Sequence, residues 1–333
     1  MSAVLARPRP RPRPAALAAL LALAVALGLA GCGGREPART ASAGATEPVQ
    51  AVALLNARLR ENDLAGFARE AAPPDLHAPL AAAWQAGRTR WPLEELPFER
   101  RIPGMLAALS ADDAETRLRK SFDRQFAHAD GEIRAAAQAL GLFGEKYLQG
   151  DRRLSDDERA HYVQLVKAVT TWGAQAGLGD TRRGHAAIPK LVLAARGSGV
   201  RTEADFRRMG MDESLRRLGP MAGALKDVLR GYGLDLDAAL DGMVLTEESR
   251  DGDHARVRMR YPLAGATIDT AIAVERVDGR WYVSDFLRHA RAAAGAAATG
   301  APTPPTTPPT TPAPTTGSPT KSAADAAKKP TSS

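Results

Sequence analysis

The apolar residues of this chain change their spacing once, at Asp241-Gly242, and that change constrains the fold more than any other feature. Before it they recur about every 3.6 residues, the period of a helix with one buried face. Beyond it they alternate, the period of a strand. Met243–Ser249, Asp253–Tyr261, Thr267–Val277 and Arg280–Asp285 read as four strands. Asp251-Gly252 and Asp278-Gly279 have the chemistry of two-residue hairpin turns. Connections this short leave only antiparallel neighbours, so 243–291 is expected to form a meander. Ala255, Val257, Met259 and Tyr261 share a face, as do Ile268, Thr270, Ile272 and Val274. Trp281 and Val283 extend this apolar surface, which the preceding helices must cover. The expected class is α+β: a helix-rich region over 49–242, then a C-terminal four-stranded antiparallel β-meander packed on it.

Within the helical region, Val52, Leu55 and Leu59 open a helix from Val49, and Asn62-Asp63 breaks it before Leu64 and Phe67. Pro73-Pro74 closes this hairpin, and Asp75 is placed to cap a helix through Trp84. Trp91–Pro103, with Pro92, Pro97 and Pro103, reads as an irregular packed loop. Ser110 and Asp113 have the pattern of a helix start over Ala111–His128, with Ala114, Leu118, Phe122 and Phe126 on one stripe. A helix over 131–148 follows. Ser155-Asp156-Asp157-Glu158 is the clearest helix start in the chain, with a serine to cap and acids at the positive end of the dipole. Further helices are expected at 181–196, 203–218 and, behind Pro220, 220–231.

The ends have a different character. Arg7, Arg9, Arg11 and Arg13 alternate with prolines, and Ala15–Ala30 carries no charge. A basic segment, an apolar run and small residues before a break form the grammar of a secretory signal peptide. The run is shorter than the roughly 20 residues of a membrane span, and it ends in Gly31-Cys32-Gly33-Gly34. Gly33–Pro48 has no apolar periodicity and is expected to be a flexible tether. From Ala292 the chain is alanine and glycine, then proline and threonine. Residues 292–333 are therefore expected to be a disordered, extended spacer.

The formal charge of +7 suggests an affinity for nucleic acid, but it belongs to these ends. Four arginines fall within residues 1–31, and Lys321, Lys328 and Lys329 outnumber Asp325 in the tail. What lies between is nearly neutral, which is no footprint for a phosphate backbone, and no nucleic-acid partner is expected. The single cysteine, Cys32, excludes an internal disulfide and any cysteine-based metal site.

Leu29-Ala30-Gly31-Cys32 resembles the lipobox of bacterial lipoproteins. The resemblance implies that Leu29, Ala30 and Gly31 are read by the signal peptidase and that residues 1–31 are removed. It also implies that Cys32 is lipidated on its thiol and its new amine. Gly33, where an aspartate would signal retention at the inner membrane, implies the outer membrane of a Gram-negative cell, with the protein facing the periplasm. A second resemblance is to NTF2-like envelope domains. Leu54, Leu55, Asn62, Asp63 and Leu64 look like their opening helix. Asp251-Gly252-Asp253 and Asp278-Gly279-Arg280-Trp281-Tyr282-Val283 look like their closing strands. In that family a curved sheet wraps a helix, and some members bind small ligands; no catalytic residue carries over.

Recognisable catalytic chemistry is missing from the sequence. His77, His128, His161, His185, His254 and His289 are scattered, with none at helical i, i+4 spacing from another. Asp235, Asp237 and Asp241 with Gly242 faintly resemble a calcium loop, but Ala239 stands where an oxygen ligand is needed, so turn and capping roles are expected. No cofactor, metal site or catalytic residue is assigned. The most suggestive feature is Arg256, Arg258 and Arg260 on one face of a strand, roughly 6.8 Å apart. Such a ladder suits an anion, a phosphate or a cell-wall carboxylate. The competing and favoured reading is a solvent face paired across strands, with Glu247 opposite Arg256 and with Asp269 and Glu275 on the next strand. The sequence thus leads to a non-catalytic structural or interaction module, lipid-anchored, with an envelope protein or the cell wall as partner. A small-ligand carrier with a pocket between sheet and helices is the first alternative, and an enzyme with an unrecognised site built from carboxylates on separate helices is the second.

Overall fold

The computed structural model describes residues 44–96 and 99–299. The expected signal peptide, the lipobox residues Leu29, Ala30, Gly31 and Cys32, most of the tether and the tail from residue 300 lie outside the described residues. The fold is α+β, helices first and an antiparallel sheet after them.

Helix α1 (Pro48–Arg60) is ended by Asn62, whose φ of +59° leaves the helical region, and Asp63 caps α2 (Leu64–Ala71) by accepting from the Gly66 N–H at 2.8 Å. Helix α3 (Pro74–Gln85) has Pro73 at its cap position, and Asp75 sits in its first turn without capping it. The proline-rich stretch is more regular than its composition suggests. It holds two 3-10 turns, Leu93–Glu95 and Glu99–Arg101, and then α4 (Ile102–Ser110). Pro103 is tolerated because it falls in the first turn, where its missing N–H would have no partner. This displaces the next helix start. Ser110 ends α4, buried, and α5 covers only Ala114–Gln125. The apolar stripe is nonetheless used: Ala114, Leu118 and Phe122 pack with Ile188 and Val192 in a small second core.

Helix α6 (Asp130–Gly150) lies along α7 (Asp156–Gln175), which opens with the expected capping box between Ser155 and Glu158. Helix α8 (Thr181–Ser198) ends on Gly199 at φ +66°. Helix α9 (Glu203–Gly231) corrects the expectation of a break at Pro220. The chain kinks at Gly210 instead, where φ is +77°, and Pro220 is carried inside the helix. Nine residues on, Gly219 lets α9 lie against the α1–α2 turn; a Cβ there would sit 2.6 Å from the Asn62 carbonyl oxygen.

After the short α10 (Leu236–Asp241), strands β1 (Val244–Asp251), β2 (His254–Leu263), β3 (Ala266–Val277) and β4 (Arg280–Val283) pair in chain order, each antiparallel to the last. Asp278-Gly279 forms the expected turn, both residues at positive φ, and Ala264-Gly265 forms another of the same kind. The first turn is one residue later than expected. Asp251 pairs with His254, so Gly252-Asp253 is the loop. Burial alternates without exception along β2, placing Ala255, Val257, Met259, Tyr261 and Leu263 inward. Helices α1, α7, α10 and α11 contact the sheet, and the main core joins its inner residues to Leu55, Leu165, Leu236 and Ala290.

The β4 end of the sheet is tied down by two segments that composition suggested were free. Ala45, in the expected tether, forms a bridge with Trp281, its carbonyl accepting from the Trp281 N–H at 2.9 Å. Past Val283, where a strand to Asp285 and a tail from Ala292 were expected, helix α11 (Ser284–Thr299) begins at once. Leu287, Ala290 and Ala294, at helical spacing, are buried on the core, so the alanine-rich run makes a packed helix. Because β4 covers only Val274–Val277 of β3, the rest of that strand has an open edge. Gln164 of α7 occupies it, its amide donating to the Asp269 carbonyl at 2.9 Å and accepting from the Asp269 N–H at 3.0 Å.

Candidate functional site

The arginine ladder exists as geometry. Arg256, Arg258 and Arg260 stand on the exposed outer face of β2. The register that surrounds them differs from the expected one. The one-residue displacement of the turn, with a bulge between Glu247 and Ser249, sets Ser249 opposite Arg256 and Glu247 opposite Val257. Arg256 finds its carboxylate elsewhere. Asp157, in the first turn of α7, takes both of its terminal nitrogens at 2.9 Å, a forked pair. The bulged Glu248 accepts from Arg258 at 2.8 Å, and Asp269 of β3 accepts from both Arg258 and Arg260 at 2.9 Å. Hydrogen bonds from Arg258 and then Arg260 hold the Asp269 carboxyl below its usual range. Three guanidiniums thus meet three carboxylates, and the ladder is neutralised by its own fold. Glu275, the other acid expected there, pairs with Arg291 of α11 at 2.7 Å.

A denser group of titratable side chains forms where the Leu93–Glu95 turn, the start of α7 and the start of α11 meet. His289 Nδ1 lies 3.0 Å from Glu95 Oε2, and its Nε2 lies 3.8 Å from Glu158 Oε1. Trp91 donates its indole N–H to Glu95 at 3.0 Å. Arg288 reaches Glu158 at 2.7 Å and Asp285 at 2.9 Å, and the Ser155 hydroxyl donates to Asp285 at 3.1 Å. Burial pushes the Glu158 carboxyl up and Asp285 adds to this, against the opposing pull of the Ser155 N–H, His289 and Arg288. For His289 burial favours the neutral ring, but the bond to Glu95 and the charges of Glu95 and Glu158 outweigh it, and the imidazole is raised. Burial, with Glu95, Glu158 and Asp285 nearby, raises the Tyr162 phenol as well.

In this arrangement the His289 imidazole lies between Glu95 and Glu158, and the Arg288 guanidinium between Glu158 and Asp285. Each acid already has an internal partner; His289 with Glu95 joins α11 to the turn, and Arg288 with Glu158 and Ser155 with Asp285 join it to the start of α7. The chemistry on view is docking of the last helix by charge-assisted hydrogen bonds.

No protein-family model matches this chain, and neither a curated protein nor a solved structure does. The reading of the site therefore rests on its residues.

The aspartates of the calcium-like segment have separate structural tasks. Asp235 caps α10 by accepting from the Ala238 N–H at 3.0 Å. Asp237 meets Lys226 at 2.8 Å and Arg230 at 2.7 Å, and Asp241 meets Arg60 at 3.0 Å. Among the described residues no group of three or more His, Cys, Asp or Glu side chains is arranged to hold a metal ion. Nor is any described helix long and apolar enough to cross a membrane. The Glu95–His289–Glu158 cluster went unseen in the sequence because His289 lies more than a hundred residues from either acid. Glu158 was visible as a capping residue, and only the fold shows that it has a second partner in Arg288.

Proposed function

We propose that this protein is a bacterial envelope lipoprotein, held by lipid on Cys32 to the inner leaflet of the outer membrane. In this reading the folded part faces the periplasm as a non-catalytic interaction module. The observation that carries it is the sequence Leu29-Ala30-Gly31-Cys32 behind a basic and then apolar leader, with the chain's single cysteine at the position that cleavage would make first. Lipid on one cysteine needs more than one chain for stable anchoring, which the implied acylation of both thiol and amine supplies. Two charged features of the folded part are taken up by structural pairing. The arginine ladder is engaged by Asp157, Glu248 and Asp269. The carboxylates of the Glu95–His289–Glu158 cluster are engaged in holding α11.

The test is fractionation of cells fed a tagged fatty acid. The native chain is expected in the membrane fraction with label, and Cys32→Ala in the soluble or uncleaved pool without it. Equal labelling of the two would overturn the proposal.

A further inference from the structure

Helix α6 packs on α7 through Ile133, Ala137 and Gly141, the last so near Thr170 that a Cβ would lie 2.8 Å from its hydroxyl oxygen. Its opposite face is exposed along its whole length, through Glu132, Ala135, Ala139, Leu142, Phe143, Lys146 and Tyr147. Leu142 is 70% exposed and Phe143 69%, and the Phe143 and Tyr147 rings stack with centroids 6.3 Å apart. Aromatic rings stacked on one another in water, beside a bare leucine, mark a surface that meets something.

The order of residues along this face says what it meets. An acid and small residues occupy its first half: Glu132, Ala135, Ala139. Large apolar residues and a cation occupy its second: Leu142, Phe143, Lys146, Tyr147. Two such helices laid antiparallel about a twofold axis at Ala139 are complementary in both respects. Glu132 of each copy falls level with Lys146 of the other, Ala135 level with Phe143, and the two Ala139 residues face each other where small side chains allow close approach. A twofold contact must be self-complementary in this way, with residue i meeting j as j meets i. We propose that α6 is a self-association surface and that the partner it fits is a second copy of this chain. This names a partner for the interaction module proposed above, and it does not depend on the anchor. Where the anchor is present, confinement to one leaflet raises the effective concentration of copies and favours even a small contact.

The test uses the full chain with Cys32→Ala, so that an introduced cysteine is the only thiol, purified and mildly oxidised at high concentration. Ala139→Cys is expected to give a disulfide-linked dimer, because a twofold axis at this position brings two Cα atoms within bonding range. Leu193→Cys, equally bare on α8, is expected to stay monomeric. Adding Lys146→Glu should lower the dimer yield about two- to fivefold, the scale of an exposed ion pair, and adding Glu132→Lys to that should restore it. The proposal is overturned if Ala139→Cys yields no more dimer than Leu193→Cys, if it cross-links to a different protein instead, or if the charge swap does not restore the yield. Fatty-acid labelling of the Cys32→Ala chain equal to that of the native chain would overturn the lipid anchor alone and would leave the self-association result standing.

Discussion

The Nε2 of His161 lies 2.7 Å from the hydroxyl of Tyr261, joining α7 to the inward face of β2 inside the core. Both rings are almost entirely buried, and burial lowers the histidine to about 4 while raising the phenol well above its ordinary value. The pair is a neutral hydrogen bond across the helix–sheet layer.

That burial makes stability depend on pH. The unfolded chain binds a proton at His161 below about pH 6.5, whereas the folded chain resists until about pH 4. The contribution is whole above pH 6.5 and is lost as pH falls toward 4, amounting to about 3 kcal/mol. Urea denaturation of the native chain and His161→Gln at intervals between pH 4 and 7 checks this. The native chain should lose stability steadily with acid, and the variant should be flatter, starting about 1 kcal/mol lower at neutral pH from the weakened bond to Tyr261.

His289 has the opposite sign. Its folded value is raised by Glu95 and Glu158, so its contribution is present below its ordinary titration range and is lost as pH rises through the folded value. Glu158, also raised, acts in the same direction at lower pH. The difference in melting temperature between the native chain and His289→Gln should therefore be larger at pH 6 than at pH 8. Amide exchange in α11 should show where the loss falls, because His289 joins that helix to the Glu95 turn.

Lys226 ties three elements together. Its ammonium is buried, donates to the Leu59 carbonyl in the last turn of α1 at 2.6 Å, and meets Asp237 of α10 at 2.8 Å. Lys226→Ala leaves part of the Asp237 carboxylate without its partner and takes one of two donors from the Leu59 carbonyl, which keeps the Asn62 N–H, at a cost of about 3 kcal/mol. The remaining pairs of Asp237, with Arg230 and Arg60, keep the loss near the lower end. Denaturant midpoints give the figure.

Glycine substitutions separate close approach from helix propensity. Gly219→Ala drives a Cβ against the Asn62 carbonyl oxygen and should destabilise by about 1–3 kcal/mol. Gly104→Ala, in α4 with nothing within 4 Å of the new Cβ, should instead stabilise by up to about 1 kcal/mol. Thermal melts of the two variants should move in opposite directions.

What the sequence disclosed follows from the range of the interactions involved. The change of period at Asp241-Gly242 and the turn at Asp278-Gly279 are local, and they placed the sheet and its antiparallel order correctly. The capping box of Ser155 and Glu158 is local too. The failures came where a long-range contact decides between local options. Gly252-Asp253 rather than Asp251-Gly252 makes the first turn, and with the bulge at Glu248 this re-pairs the arginine face with Asp157, ninety-nine residues away. Ala292–Thr299 has the composition of a linker and becomes helix because Leu287, Ala290 and Ala294 have a core to pack on. Pro220 was expected to break a helix that kinks at Gly210. The Glu95–His289–Glu158 cluster had no signal in the sequence at all, since three chain segments must first fold together to make it.

The measurement that bears most directly on the account is mass spectrometry of the N-terminal peptide of the mature protein isolated from membranes. The account predicts a chain that begins at Cys32, with a diacylglyceryl group on the thiol and a fatty acyl group on the amine. A mature chain that begins elsewhere, or a Cys32 with a free thiol, would contradict it.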